Sequence, residues 1–498
     1  MLARLSQLEC RIVPIEDEVV HYEKLIDTVA AALLALVVAR AAHAQNPRAD
    51  RPPGAGNILL VVADDIGVDG IGCYGESSAA PPTPTIDGLA RGGVLFRNAW
   101  SHPSCSPSRA GMHTGRHGFR TGVGAVIFPV GKNVLPYQEI TLPELLGPAG
   151  FACGLIGKWH LGNDNNGGAL GPLRHGWDYH AGTLWFAFRP WGNYTRWGRT
   201  VNGHTSTCRT YATTQTVDDA LCWIRHQTSP WFCCVSFNAA HKPYHAPPEH
   251  LHTYDLRGRK PRRAPATHYR ATIQAMDTEI GRLLAGLSDD LAHTTVIFAS
   301  DNGPPAESVL PPFDRTRAKH TVYETGVHVP LIVSGPDVVQ PGREVQGLVH
   351  TLDLFTTCLD LAGVDPAARP GSSRPVDAVS LYPYLVDPDI VAIRSLVYTE
   401  VFPGHKPDKG SCAIRDFRFK LVCHKGLNGG CEFYDLQADP YERCNLISQG
   451  PLSDPQRSHY RHLFQALRAL RCAGRPLNGN SFGTVRPRAA TRGSIAGG

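Results

Sequence analysis

Four runs of apolar residues stand out along the chain, and each ends abruptly in polar or charged groups. Ile58–Ala63 runs into Asp64-Asp65, and Ala152–Ile156 into Gly157-Lys158-Trp159-His160. Trp231–Phe237 runs into Asn238-Ala239-Ala240-His241-Lys242, and Thr294–Ser300 into Asp301-Asn302-Gly303. Continuous apolar runs of this length predict strands buried on both faces, as in a parallel sheet. Ligand sites in open parallel sheets lie outside the carboxyl ends of the strands. Ionisable groups beside buried strands are costly unless paired or metal-bound, so the four polar ends are expected to converge.

Between the runs the spacing changes to that of helices. Residues Thr85–Arg91 read as one. A second starts at Thr141 as cap, with Pro143 in its first turn and Gly150 near its stop. Tyr269–Leu287 repeats apolar positions at Ile273, Met276, Ile280, Leu283 and Leu284. From Val397 the pattern alternates instead, through Cys412–Arg415, Phe417–Val422 and Glu432–Leu436, which predicts an antiparallel sheet. A helix follows, with Tyr460, Leu463, Phe464, Leu467 and Leu470 on one face. The expected fold is α/β: a large mixed, mainly parallel sheet flanked by helices, with a smaller C-terminal antiparallel sheet plus helix. Residues 46–392 form the catalytic domain in this reading, 393–475 the C-terminal subdomain and 476–498 a disordered tail.

Residues 1–45 read as a signal-peptide region. Lys24 precedes the apolar stretch Val29–Val38, and Ala42-His43-Ala44 supplies a small-x-small cleavage pattern before Gln45. The apolar stretch is too short to span a bilayer, so an exported, periplasmic or secreted protein without stable membrane insertion is expected. Acidic residues within Met1–Tyr22 suit a start set upstream of the true one. Export permits disulfides, and of fourteen cysteines Cys412, Cys423, Cys431 and Cys444 cluster and could pair. Paired Cys-x-x-Cys spacings that would hold structural zinc are missing. The net charge of +5 suits a small anionic substrate, and no basic run with interleaved aromatics points to nucleic acid.

The chemistry-bearing segment is Ser104-Cys105-Ser106-Pro107-Ser108-Arg109, continuing through His113 to Thr114-Gly115-Arg116. Pro107 presets a helical φ, Ser106 or Ser108 can cap the N–H groups that follow, and Cys105 then lies where the helix dipole favours negative charge. Asp64, Asp65, Asp301 and Asn302 are hard oxygen ligands, and three carboxylates together call for a cation such as Ca²⁺ or Mg²⁺. The aromatic stretch Trp177–Trp197 reads equally as a wall against the organic part of a substrate or as ordinary packing.

Together these segments resemble the type I sulfatases of the alkaline phosphatase superfamily, from Asn57 to about Leu446. The likeness rests on C-x-P-S-R with the later T-G-R, on Asp64-Asp65, Thr83-Pro84-Thr85-Ile86-Asp87, Gly157–Gly162, Gly176-Trp177-Asp178, His241 and Asp301-Asn302-Gly303. Lys319 ahead of Tyr323-Glu324, and Tyr434-Asp435-Leu436, complete it. The resemblance implies a sulfuric ester hydrolase, arylsulfatase-like, acting on a small aryl or carbohydrate sulfate ester. It implies that a formylglycine-generating enzyme converts Cys105 to formylglycine, whose hydrated aldehyde attacks sulfur and whose second hydroxyl then lets sulfate leave. It also implies that Asp64, Asp65, Asp301 and Asn302 hold calcium, or magnesium, which also meets residue 105. Arg109 would stabilise the hydrate, Lys158 and Lys319 bind sulfate oxygens, and His160 and His241 handle protons.

Two positions depart from the family pattern: His113 stands where an apolar residue is usual, and Tyr323–His328 replaces the usual Y-E-G-G-x-R. The same scaffold would also suit a phosphonate or phosphodiester hydrolase, or a non-catalytic binding protein. The filled catalytic positions weigh against the last. Oligomeric state is left open.

Overall fold

The computed structural model describes residues 56–185, 192–365 and 374–472. The signal region, the C-terminal tail and part of the aromatic stretch lie outside these residues.

The large sheet holds ten strands: β1 (Asn57–Ala63), β2 (Gly93–Trp100), β3 (Ala152–Lys158), β4 (Tyr179–Thr183), β5 (Trp197–Val201), β6 (His204–Cys208), β7 (Trp231–Ser236), β8 (Thr294–Ser300), β9 (Leu331–Ser334) and β10 (Arg343–His350). Their order is β10-β2-β9-β8-β1-β7-β3-β4-β5-β6. Strands β8, β1, β7, β3 and β4 run parallel, β9 is antiparallel to β8 and β2, and β5 and β6 are antiparallel additions at the edge. A smaller antiparallel sheet follows, of β11 (Val397–Val401), β12 (Ser411–Arg415), β13 (Phe419–His424) and β14 (Gly429–Asp435).

Alternate residues of β1 explain its unbroken apolar run. Leu59 and Val61 face one layer, with α3 (Ala212–Ile224) and α4 (Pro265–Leu287) contributing Val217, Leu221, Ile273, Ile280 and Leu283. Ile58, Leu60 and Val62 face the other, with Met112 of α2 (Cys105–Thr114) and Phe355 and Leu359 of α5 (Leu354–Leu361). The first helix, α1 (Pro84–Arg91), packs beside α4, where Asp277 accepts from the N–H groups of Thr85 and Ile86 at 3.1 and 2.8 Å. Truncating Ile280, which is wholly buried, to alanine is expected to cost about 2–5 kcal/mol, read as a lower urea midpoint at unchanged slope.

Thr141 caps a short helix at Leu142–Leu146 in a capping box with Glu144. The last helix, α6 (Asp454–Cys472), lays Leu463 and Leu467 on Phe419, Leu421 and Phe433 of the small sheet. Of the four clustered cysteines, Cys423 and Cys431 form a disulfide across β13 and β14, while Cys412 and Cys444 remain thiols. Of the described aromatics of the 177–197 stretch, Trp177 and Trp197 serve packing: Trp177 stacks on Phe232 at 5.5 Å, and Trp197 donates its indole N–H to the Thr210 carbonyl. His113 fills its unusual position as part of the same layer, edge-on to Trp177 at 5.5 Å.

Candidate active site

Strands β8, β1, β7 and β3 are consecutive neighbours and all parallel, so their carboxyl ends open on one side. Asp301 follows β8, Asp64 follows β1, Ser236 ends β7 and Lys158 ends β3. Backbone bonds lock these ends together. Asp301 N–H donates to the Ala63 carbonyl at 3.1 Å, and Asp64 N–H to the Ala239 carbonyl at 2.9 Å. Asp65 turns out of the strand at a φ of 67° and donates its N–H to Asp301 Oδ1 at 3.1 Å.

Three carboxylates and three cations meet here out of water. Lys158 Nζ donates to Asp64 Oδ2. Lys319 Nζ reaches Asp65 Oδ1 at 2.5 Å and lies 3.7 Å from Cys105 Sγ. Arg109 grips Asp301 Oδ2 with Nε and Nη2, at 2.9 and 2.7 Å, and also donates to Ser236 Oγ and the Lys158 carbonyl. Burial works against the Lys319 ammonium, yet Asp65, Cys105, Asp64 and Asp301 together hold its pKa above the ordinary lysine value. Burial likewise opposes ionisation of Asp65, and Lys319, His241 and Lys158 outweigh it and lower its pKa.

Cys105 is the first residue of α2, following an extended Ser104. Neither serine caps that helix. Ser106 Oγ donates to the His160 carbonyl at 2.9 Å and Ser108 Oγ to the His102 carbonyl at 2.8 Å, so both hydroxyls fasten neighbouring loops. Burial pushes the Cys105 thiol up, against the pull of Lys158 and Lys319. His241 Nδ1 meets the Lys242 carbonyl at 2.7 Å, which leaves Nε2 facing Asp65 Oδ2 at 3.7 Å. His160 Nε2 meets the Ile127 carbonyl at 3.1 Å. Burial holds both histidines below their ordinary pKa; nearby cations reinforce it at His160, whereas Asp65 opposes it at His241.

The donor set fits a hard dication. Asp64 Oδ1, Asp65 Oδ2 and Asn302 Oδ1 are buried oxygens without a hydrogen-bond partner. Ligand atoms of Asp64, Cys105 and Asp301 lie within 4.8 Å of one another. Buried carboxylate oxygens left unbonded are costly, and an oxygen-seeking cation satisfies them.

The sulfatase family model matches residues 56–364, well over half of the chain. The chain belongs to the sulfatase family. Its reaction is hydrolysis of a sulfate ester. A second model, described as N-sulphoglucosamine sulphohydrolase, C-terminal, matches residues 314–469. N-acetylgalactosamine-6-sulfatase of Sus scrofa is 33% identical over 387 residues, covering 70% of this chain and 69% of that protein. Arylsulfatase A of Homo sapiens is 27% identical over 488 residues, covering 84% and 87%. The crystal structure of Ps i-CgsB in complex with k-i-k-neocarrahexaose shares the fold at a TM-score of 0.69 and 24% identity, covering 83% of this chain and 93% of that one.

In this sulfatase the departure at Tyr323–His328 has a structural explanation. Glu324 is buried against Lys420 of the small sheet at 3.0 Å, with Arg415 at 3.8 Å and His328 at 3.7 Å. His328 also joins the Arg97 carbonyl through Nε2 at 2.7 Å. Charge from the small sheet thus surrounds the glutamate where the family usually has a nearby arginine. Burial opposes its ionisation, but Lys420, Arg415 and His328 hold its pKa at about 2. A depressed carboxylate pKa stabilises the fold above the unfolded value, and that stability is lost as pH falls through the folded one. Acid titration should therefore show stability falling between the ordinary glutamate range and pH about 2, and Glu324→Gln should flatten that part of the curve.

Two residues that hold the candidate site together carry little signal in the sequence. Ser236 holds Arg109 and donates to the Lys158 carbonyl at 2.7 Å; its only signal was a hydroxyl at the end of an apolar run. Tyr194 Oη sits 2.6 Å from the Asn238 carbonyl and 2.7 Å from that of His241, pinning the loop that carries His241. Tyr194→Phe is expected to lower kcat roughly tenfold through a misplaced histidine, with KM little changed, in steady-state kinetics.

Proposed function

We propose that this sulfatase hydrolyses carbohydrate sulfate monoesters through a formylglycine made from Cys105, with a calcium ion held by Asp64, Asp65, Asp301 and Asn302. The observation that carries this reading is the set of buried, unbonded oxygens on Asp64, Asp65 and Asn302 beside Cys105. The preference for a carbohydrate ester is supported by the N-acetylgalactosamine-6-sulfatase likeness and by the C-terminal family model. Export is supported by the signal-like N-terminal pattern, and among the described residues no helix is long and apolar enough to cross a membrane.

When bound, the cation supplies Lewis-acid polarisation of a sulfate oxygen, and formylglycine supplies a hydroxyl nucleophile that a thiol of raised pKa does not. The chain's own residues do the rest. Three carboxylates and three basic side chains balance in charge, so an added dication makes the pocket net positive and suited to a sulfate ester. Lys158 and Lys319, whose ammonium groups stand against Asp64 and Asp65, would turn to the sulfate oxygens if those carboxylates held a cation. Lys319, beside Asp65 and Cys105, acts on the sulfate by electrostatics. Arg109 keeps residue 105 and Asp301 in fixed relation. An anionic substrate offsets the burial that depresses His241, so its Nε2 takes up a proton and delivers it to the departing alcohol. His160, kept neutral by burial, accepts a proton on the opposite side of the cycle.

The deciding experiment is mass spectrometry of the Cys105 peptide from protein made in its native host, paired with turnover of sulfated amino sugars and aryl sulfates. Replacement of sulfur and two hydrogens by oxygen, with faster turnover of the sugar, is the expected result. An unmodified thiol in active enzyme would overturn the mechanism, and faster aryl turnover would overturn the substrate class.

A further inference from the structure

Away from the catalytic carboxylates, three histidines from three chain segments meet in a single cluster. His102 precedes α2, His117 follows it, and His350 ends β10; all three are buried. Their rings stand edge-on, with centroids 4.9 to 5.5 Å apart. One nitrogen from each lies within 4.8 Å of the other two. None of them takes part in the sulfatase chemistry derived above.

We propose that His102, His117 and His350 form a second metal site, which takes zinc(II), where the large sheet meets Tyr398 and Thr399 of the small one. The closest pair is His102 Nε2 and His117 Nδ1, at 3.4 Å. That is long for a hydrogen bond, whose usual length is about 2.9–3.0 Å. It equals the spacing of two tetrahedral ligands on an ion with Zn–N bonds of about 2.0–2.1 Å. His350 Nε2 is buried without a hydrogen-bond partner, so the third ligand atom is otherwise an unsatisfied polar group.

The surroundings are those of a neutral nitrogen site for a borderline dication. His102 turns Nδ1 toward Thr399 Oγ1 at 3.5 Å and is hydrogen-bonded to the Glu400 backbone. Such a bond through the far nitrogen orients metal-ligating histidines. Three arginines stand near, and each has its own carboxylate: Arg120 with Asp377, Arg394 with Asp353 and Arg471 with Glu400. The cluster therefore faces paired charges rather than free cations. His117 also lines a cavity of about 250 Å³ with Asp377, Arg394, Tyr398, Ile414 and Leu470. The cavity is roomy enough for a water as fourth ligand.

Binding requires one rearrangement. His350 Nδ1 accepts the Leu352 N–H at 3.1 Å, which places the ring proton on Nε2 in the metal-free chain. Coordination through Nε2 moves that proton to Nδ1, and the Leu352 amide gives up its acceptor. All three imidazoles stay neutral, so no oxidant and no net proton is needed.

The test uses full-length protein stripped of metal and then saturated with calcium, so that the carboxylate site is filled. Zinc chloride titration is expected to give one tight equivalent per chain. His117→Ala, and His350→Asn, which keeps an acceptor for Leu352, should each weaken it at least about 100-fold with calcium binding unchanged. Cobalt(II) in place of zinc should give the visible bands of a tetrahedral ion without a thiolate charge-transfer band. Absence of a tight equivalent, equal affinity in both folded variants, or a thiolate band that puts the ion at Cys105 would each overturn the proposal.

Discussion

Cys105→Ala is expected to abolish sulfate-ester turnover, by at least about 10⁴-fold in kcat/KM, or about 5.5 kcal/mol of transition-state stabilisation. Cys105→Ser should fall as far. Serine fits the same place and offers one hydroxyl, yet it cannot present the second hydroxyl on one carbon that the proposed cycle needs. Both changes are small at a buried position, so the urea midpoint should stay close to that of the parent, with calcium still bound through the four oxygen ligands though less tightly than in the parent. The comparison therefore separates loss of the nucleophile from loss of the fold. Residual turnover within tenfold of the parent, in protein free of contaminating sulfatase, would mean that the nucleophile lies elsewhere.

Asp301→Ala should act on both activity and stability. Asp301 accepts from Arg109 through two nitrogens and from the Asp65 backbone. Its loss leaves a buried guanidinium with Asp64 at 3.9 Å as the nearest remaining carboxylate partner. Breaking a buried pair in this way costs about 3–5 kcal/mol. Turnover should fall at least about 10³-fold, because the proposed calcium site loses a ligand and Arg109 its anchor. Calcium titration, kcat and the urea midpoint together read the effect. Unchanged calcium affinity would remove Asp301 from the proposed ligand set.

The strands that build the site were legible in the sequence because each is covered on both faces, which forces an unbroken apolar run. The convergence of Asp64, Lys158, His241 and Asp301 followed from the sheet rule alone. The strand order β8-β1-β7-β3 was not legible, since parallel crossovers leave the choice of neighbour to tertiary packing. Nor was the antiparallel β9 between β2 and β8, four residues with no pattern of their own. Serine chemistry misled at α2: Ser106 and Ser108 have the right composition for caps, but their hydroxyls serve the carbonyls of His160 and His102. Ser236 and Tyr194 went unseen because a hydroxyl that holds a backbone carbonyl leaves no spacing signal. The histidine cluster was hidden for a related reason, since its members stand in separate segments and meet only once β10 lies beside β2.

The base of α2 has a bearing on how the enzyme is made. Cys105 is 1% exposed, enclosed by strand ends that come from residues 57 to 300. A maturation enzyme cannot grip a side chain so enclosed. On the mechanism proposed above, the thiol must be converted while the chain is still open, before those strands pair. Folding and modification are then competitors in time, and a chain that folds first is sealed in its inactive form. The active fraction of a preparation should thus rise when synthesis is slowed or the maturation enzyme is abundant, with no change in the amount of folded protein.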